Sequence, residues 1–245
     1  MRGCTRTVPS VLFNRAASLR QAVRDEGKTP PSFLLTLGLA ASRPAASADP
    51  PVASVLLAIG RVRFNGVDVT AWMPHQREQV GIRFFSQDAS VYGKMTVEDA
   101  LLAESLSLEL NVKRRRSQLD ELLFQFGLNS KSKELVGSLS SGERTRLEIA
   151  RCLVGKPSLL VLDEPFEATD VVTTHGIEDI LSDASQKGLS ILLTDCRGRE
   201  ILPIVHRTFV LRDGVVVVSG DAETILSNLD ARRDYFGDDG LPRRY

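Results

Sequence analysis

Apolar and polar positions follow two alternating patterns along the second half of the chain. A helical pattern over 141–154 is followed by a continuous apolar run over 158–162, which predicts a buried strand. Further helices are predicted over 173–186, 198–205 and 222–228, and further strands over 190–194, 208–211 and 215–218. This alternation is typical of a parallel sheet covered by helices, so we expect an α/β fold.

The segment before residue 141 adds shorter elements. Arg61–Phe64 and Gly81–Phe85 are predicted strands, and Asn65-Gly66 after the first of them is a turn dipeptide. Thr96 has the character of a helix N-cap, which predicts a helix that ends near Leu108. A second helix is predicted from Lys113 to Phe126, where Gly127 stops it.

The first 50 residues differ in composition from the rest of the chain. They are rich in arginine, alanine, serine and proline and poor in acidic residues. Such a segment is compatible with an organelle transit peptide, a wrongly assigned start codon or a shifted reading frame. The sequence does not favour any one of these three explanations over the others.

Composition narrows the classes of function. The chain has 245 residues, 42% of them hydrophobic, and 31 basic side chains balance 31 acidic ones. Without a net positive charge we expect no nucleic-acid partner. The scattered Cys4, Cys152 and Cys196 predict neither disulfides nor a zinc site. The apolar stretches 32–41 and 52–59 are too short to cross a bilayer, so membrane association is expected through a partner.

The sequence Leu139-Ser140-Ser141-Gly142-Glu143, which we name the signature turn, carries the first candidate chemistry. Ser140 can cap the following helix while the side chain of Glu143 returns a hydrogen bond. A serine hydroxyl and backbone amides at a helix N-terminus also form a site for phosphate. A plain capping box and a phosphate contact both explain the motif.

Two acids follow the predicted strand over 158–162. Asp163 and Glu164 stand at its carboxyl end, where α/β sheets bind ligands. Asp163 can hold Mg²⁺, which prefers a few carboxylates together with phosphate oxygens. Glu164 can polarise a water molecule for attack on a phosphate.

These motifs together resemble those of ABC-type ATPases. The signature turn is similar to the ABC signature sequence, and Leu159–Phe166 is similar to the Walker B strand. Asp170 matches the acid of the D-loop. Gln87, within Phe85–Ser90, matches the glutamine of the Q-loop. All four motifs occur in the family's order over residues 84–170.

The resemblance implies a fold, ligands and roles. The expected fold is an ABC-type P-loop NTPase core, a parallel sheet with flanking helices, plus a helical subdomain at about 93–140. ATP and Mg²⁺ are the implied ligands, with Glu164 as the base and Asp163 and Gln87 as magnesium contacts. The implied contacts to a nucleotide held by another subunit are Ser140, Ser141, Gly142 and Glu143.

The resemblance is strongest to the ATPase of lipopolysaccharide export, with branched-chain amino-acid importers next. It covers roughly residues 60–240, so we predict an ABC ATPase domain over 56–245 behind an atypical segment over 1–55. It implies transmembrane transporter subunits as partners and a homodimer or heterodimer of cassettes. The expected location is the cytoplasmic face of a membrane, or an organelle interior if residues 1–50 are a transit peptide.

The sequence departs from the family at two places. No segment matches the phosphate loop Gly-x-x-x-x-Gly-Lys-Ser/Thr, because Gly27-Lys28-Thr29 lacks the first glycine and two prolines follow it. Cys196 stands at the switch position where the family has histidine, and a cysteine cannot donate a charge-assisted hydrogen bond to phosphate.

Three functions are therefore open. The chain is either an ATP-hydrolysing motor subunit whose N-terminal part is degenerate or misread, or a non-catalytic cassette that lends its signature turn to a partner. The third alternative is a soluble ABC protein outside transport.

Overall fold

The structure is a computed structural model, and it describes residues 33–38, 62–85, 92–107, 112–167, 169–195, 201–212 and 215–232. The chain divides into two compact units, one formed by Met1–Met73 with Leu193–Tyr245 and the other by Pro74–Leu192.

The second unit contains the segments that carry the candidate chemistry. Its helices and strands, in chain order, are α1 Pro74–Gln79, β4 Ile82–Phe84, α2 Val97–Ser107, α3 Val112–Gln125, α4 Ser141–Leu153, β5 Leu159–Asp163, α5 Val171–Gln186 and the start of β6 Ser190–Thr194. Strands β4 and β5 are parallel, with Ile82 opposite Leu159. The strand order here is β4-β5-β6.

The core of this unit lies between these strands and the long helices. Its largest fully buried side chains include Phe126, Leu147, Leu160 and Phe166. The three central residues of β5 are buried, and the strand ends at Asp163, which is half-buried. Burial of the strand therefore places Asp163 and Glu164 at the edge of the sheet.

The described part of the other unit combines short strands with two short helices. Its helices and strands are β1 Phe33–Gly38, β2 Arg63–Phe64, β3 Val67–Asp68, the end of β6, β7 Arg207–Arg212, β8 Val215–Gly220, α6 Ala222–Ser227 and α7 Leu229–Ala231. Strand β1 pairs in parallel with β7, and β7 pairs antiparallel with β8. The Asn65-Gly66 turn has positive φ at both residues, as a tight hairpin turn requires.

Apart from the predicted 198–205 helix, the elements predicted from the sequence occur within two or three residues of their expected positions. Thr96 Oγ1 accepts a hydrogen bond from the N–H of Asp99 at 3.1 Å, which confirms the predicted N-cap. Gly127 has φ +63°, as expected of a residue that ends a helix. Helix α1 and strand β1 were not predicted. Of the predicted 198–205 helix, residues 198–200 lie outside the described residues, and Leu202–Ile204 form a short 3-10 helix.

No helix among the described residues is long and apolar enough to span a bilayer. The predicted boundaries at residue 55 and at about 93–140 stay predictions.

Candidate functional site

The signature turn forms a complete capping box at the start of α4. Ser140 is extended, with ψ 165°, and its Oγ accepts a hydrogen bond from the N–H of Glu143 at 3.3 Å. The Glu143 carboxylate accepts in return from the Ser140 N–H at 2.9 Å and from the Ser140 hydroxyl at 2.8 Å. The predicted capping chemistry is therefore confirmed, and it fixes the start of α4 at Ser141.

Two backbone amides of this turn have no acceptor within the helix. The Glu143 N–H bonds Ser140 Oγ and the Arg144 N–H bonds the Ser140 carbonyl at 2.9 Å. The amides of Ser141 and Gly142 come first in the helix, so no carbonyl of the helix can reach them. With the positive end of the helix dipole, such amides favour a bound anion.

The electrostatics of the turn depend on Glu143. Hydrogen bonds from the Ser140 backbone and hydroxyl lower the pKa of Glu143, and the positive charges of Lys131 and Arg146 act in the same direction. Lys131 Nζ lies 3.9 Å from a Glu143 oxygen. Because the Ser140 hydroxyl already donates to this carboxylate, it must leave Glu143 before it can donate to a phosphate.

The acids after β5 occupy an unusual backbone geometry. Asp163 is the last residue of the strand and is half-buried. Glu164 follows it with φ +47°, in the left-handed region that a residue with a side chain seldom adopts. Such strained positions are frequent at functional sites. The next two residues, Pro165 and Phe166, are buried and anchor the turn.

Asp170 is the N-cap of α5. Its Oδ1 accepts from the Thr173 N–H at 2.9 Å and its Oδ2 from the Thr173 hydroxyl at 2.8 Å. These two hydrogen bonds, the backbone one first, lower the pKa of Asp170. The first residues of the helix, Val171 and Val172, are 60% and 82% exposed.

The N-termini of α4 and α5 meet at one contact. Gly142 is buried, and a Cβ built on it would lie 3.0 Å from Thr173 Oγ1 and 3.1 Å from Thr173 Cγ2. Since Asp170 holds Thr173, the contact joins the signature turn to Asp170, the residue predicted to be the D-loop acid. The structure thus brings together two motifs that are separate in the sequence.

Two of the predicted site residues cannot be placed. Gln87 and Cys196 lie outside the described residues, so the magnesium role of the first and the switch role of the second stay predictions. Within the described part of the chain, no three His, Cys, Asp or Glu side chains form a metal-binding group. Asp163 still fits Mg²⁺ bound with ATP, because magnesium takes most of its ligands there from water and phosphate oxygens.

Sequence reasoning missed two features of this region. Thr173 was not recognised as a contact of Gly142, although the spacing of Asp170 and Thr173 is that of a helix cap. A buried group of charged side chains around Glu104 was also missed, because its members are far apart in the sequence. They are Arg83, Glu104, Glu148 and Arg151.

Comparison with known proteins gives the class of this molecule. The sequence model of the ABC transporter family matches residues 53–167. An uncharacterized ABC transporter ATP-binding protein of Rhizobium meliloti is 37% identical over 179 residues, 73% of this chain and 66% of that protein. A probable ABC transporter ATP-binding protein of Azorhizobium caulinodans is 36% identical over 180 residues, 74% of this chain and 64% of that protein. The chain thus spans just under two thirds of the length of these two relatives.

A third relative is covered more fully. The lipopolysaccharide export system ATP-binding protein LptB of Haemophilus influenzae is 33% identical over 180 residues, 73% of this chain and 75% of that protein. A solved nucleotide-free ATP-binding cassette of an ABC transporter matches 83% of this chain and 87% of its own with a TM-score of 0.67 at 20% identity. The predicted fold class is confirmed as that of an ABC cassette. The chain belongs to the family of ABC transporter ATP-binding proteins.

Proposed function

We propose that this chain is a cassette subunit of an ABC transporter, and that its signature turn completes a nucleotide site with a second cassette subunit. The contact between Gly142 and Thr173 carries this proposal. It joins the start of α4, where the Ser141 and Gly142 amides have no helical acceptor, to the start of α5, where Asp170 caps the helix and Val171 and Val172 are exposed.

In this proposal the signature turn binds the terminal phosphate of ATP held by the facing subunit. The amides of Ser141 and Gly142 donate to phosphate oxygens, and the α4 dipole favours their negative charge. The Ser140 hydroxyl turns from Glu143 to the phosphate. The two amides, unlike the hydroxyl, are fixed before the nucleotide arrives, because the capping box and the Thr173 contact hold the turn.

The acids at the end of β5 support a hydrolytic role for the chain's own site. Glu164 would accept a proton from the attacking water, and Asp163 would hold Mg²⁺ directly or through water. Magnesium bound with ATP supplies positive charge that offsets the charge on the phosphates.

Two sequence features oppose efficient turnover: no segment matches the phosphate loop, and Cys196 replaces histidine at the switch position. We therefore place the nucleotide on the partner's phosphate loop.

The name of one relative supports a proposal for the partners and the cargo. LptB of Haemophilus influenzae is named for lipopolysaccharide export, and we propose that this chain serves a similar exporter. It would bind transmembrane subunits at the cytoplasmic face of a membrane, through the Q-loop region and the helices between residues 96 and 127. The proposed domain is 56–245, with the helical subdomain at about 93–140.

A charge placed in the signature turn tests the proposal. Ser141 is exposed at the first position of α4, so Ser141→Glu adds a carboxylate where the helix dipole stabilises it. The variant should fold at least as well as the wild type while its charge repels phosphate. Ser141→Gln is the matched control, because it adds a similar volume without the charge.

The measurement is association, by analytical ultracentrifugation with Mg-ATP, between this chain and a family member that contains the complete phosphate-loop motif. That partner carries a substitution of its own catalytic glutamate, so that ATP persists. We expect complex formation that requires ATP, survives Ser141→Gln and is weakened at least about tenfold by Ser141→Glu. Equal association of both variants would overturn the role of the signature turn.

Titration of this chain alone with a fluorescent ATP analogue and Mg²⁺ distinguishes a subunit that binds its own ATP from one that only contacts ATP held by its partner. No binding is expected if the nucleotide sits on the partner's phosphate loop. Micromolar binding that persists in Glu164→Gln would favour a motor subunit that holds its own ATP.

A further inference from the structure

A buried group of charges joins three elements of the second unit. Glu104 on α2 accepts a hydrogen bond from Arg83 of β4 at 2.6 Å through Oε1, and one from Arg151 of α4 at 3.0 Å through Oε2. The side chains of Arg83, Glu104 and Arg151 are only 5%, 14% and 11% exposed. One carboxylate thus bridges a strand and two helices, and each of its oxygens has its own guanidinium.

Arg151 is the most constrained member of the group. Its Nη1 donates to Glu148 at 2.6 Å, and its guanidinium carbon lies 3.7 Å from the centre of the Tyr92 ring. Burial lowers the pKa of Arg151, but the negative charges around it, Glu148 first, outweigh burial and raise it. Arg151 therefore stays charged. Without Glu104, the Arg83 guanidinium would keep Glu78 at 3.4 Å and Arg151 would keep Glu148, so each would lose one of its two carboxylate partners.

The Glu104 carboxylate holds the C-terminal end of α4, whereas the signature turn lies at the N-terminal end. Arg151 is near the C-terminus of the helix, and Gly142 near its N-terminus packs on Thr173. A helix rises about 1.5 Å per residue, so the two attachment points are roughly 13 Å apart along the axis. Two such attachments set the direction of the helix, and with it the direction of the Ser141 and Gly142 amides.

We infer that Glu104 is a positioning residue for the signature turn: it ties α4 to α2 and β4, so that a displacement of α2 is passed to the phosphate-facing amides. This inference rests on the proposed function for its biological use, since the amides must face a nucleotide for their direction to matter. The coupling itself is a property of the isolated chain and can be measured without any partner.

The chain contains a matched control for Glu104. Glu98, on the same helix, also accepts from two basic side chains, Arg116 at 2.8 Å and Lys133 at 2.7 Å, and its side chain is 16% exposed. Neither of those partners belongs to α4. Glu104→Gln and Glu98→Gln therefore each remove one charge and two ion pairs from α2, but only the first releases α4.

The test is amide hydrogen exchange of the full chain, together with the ¹H–¹⁵N resonances of Gly142 and Thr173. In Glu104→Gln we expect the amides of Arg144–Leu147 to exchange at least about tenfold faster, while those of Leu181–Gln186 in α5 change less than about threefold. The Gly142 and Thr173 resonances should shift. In Glu98→Gln the α4 amides should exchange within about twofold of their wild-type rates, and the Gly142 and Thr173 resonances should not shift.

A second variant covers the case in which Glu104→Gln does not fold. Arg151→Lys keeps the charge beside Glu148 but cannot donate to both carboxylates in the same planar geometry. It should move the same two resonances to a smaller extent. Uniformly faster exchange throughout the unit, or unmoved Gly142 and Thr173 resonances, would overturn the inference. Failure of ATP-dependent association would instead overturn the proposed function and leave this result standing.

Discussion

Gly142 and Thr173 lie so close together that a Cβ built on the glycine would be 3.0 Å from Thr173 Oγ1. Asp170 holds the threonine with two hydrogen bonds, and its side chain cannot turn away from Gly142 without losing the one from its hydroxyl. The start of α4 and the start of α5 are thereby fixed against each other. The contact therefore leaves little room for a side chain at position 142.

Gly142→Ala should destabilise the protein. In an open helix the change from glycine to alanine is favourable by about 1 kcal/mol, but overpacking against Thr173 costs about 1–3 kcal/mol. We expect a net loss of roughly 1 kcal/mol in the free energy of unfolding, measured by urea denaturation.

Gly176 in α5 is the control for that substitution, because nothing lies within 4 Å of a Cβ built on it. Gly176→Ala should stabilise by about 0.5–1 kcal/mol. Adding Thr173→Ala to Gly142→Ala should remove the steric part of the loss. A Gly142→Ala protein as stable as Gly176→Ala would show that the contact is absent.

The capping box should contribute stability that depends on pH. The pKa of Glu143 is lowered in the folded chain, chiefly by the Ser140 backbone N–H, so the folded state favours the carboxylate. This contribution is complete above the unfolded pKa of about 4.3 and is lost as pH falls through the lower folded value. The difference in unfolding free energy between wild type and Glu143→Gln should therefore shrink below about pH 4. A difference that grows on acidification would contradict this.

The backbone conformation at Glu164 should make a glycine replacement more stable than an alanine replacement. Both Glu164→Gly and Glu164→Ala remove the carboxylate, but only glycine adopts φ +47° without strain. Glu164→Gly should be more stable than Glu164→Ala by about 1 kcal/mol, measured by thermal unfolding. Equal stability of the two variants would indicate that the turn relaxes when the side chain is removed.

The thiol of Cys152 should be protected in the native protein. Burial raises its pKa to about 12, and its Sγ donates to the Phe84 carbonyl at 3.5 Å. At pH 8 only about one thiol in ten thousand would be ionised at that pKa. In a Cys4→Ser, Cys196→Ser background, alkylation by iodoacetamide should be at least about a hundredfold slower than in 6 M urea. Rapid labelling without denaturant would show that α4 opens away from β4.

The sequence predicted most of the second unit because its signals are local. Ser140 and Glu143, and Thr96 and Asp99, are each three residues apart, so these helix caps can be recognised without knowledge of the rest of the chain. The apolar run 158–162 identified β5 in the same way. Helix α1 was missed because it is short and, apart from its first proline, polar throughout, with no apolar period.

The sequence by itself determined the order of the motifs, their helix caps and the buried strand that ends at Asp163. The tertiary structure decided which of them touch: Gly142 with Thr173, and Glu104 with both Arg83 and Arg151, across 21 and 47 residues of sequence. A cap depends on the geometry of one helical turn, which every chain of that sequence shares. A contact between distant residues depends on how helices and strands pack, and no local pattern in the sequence encodes that distance.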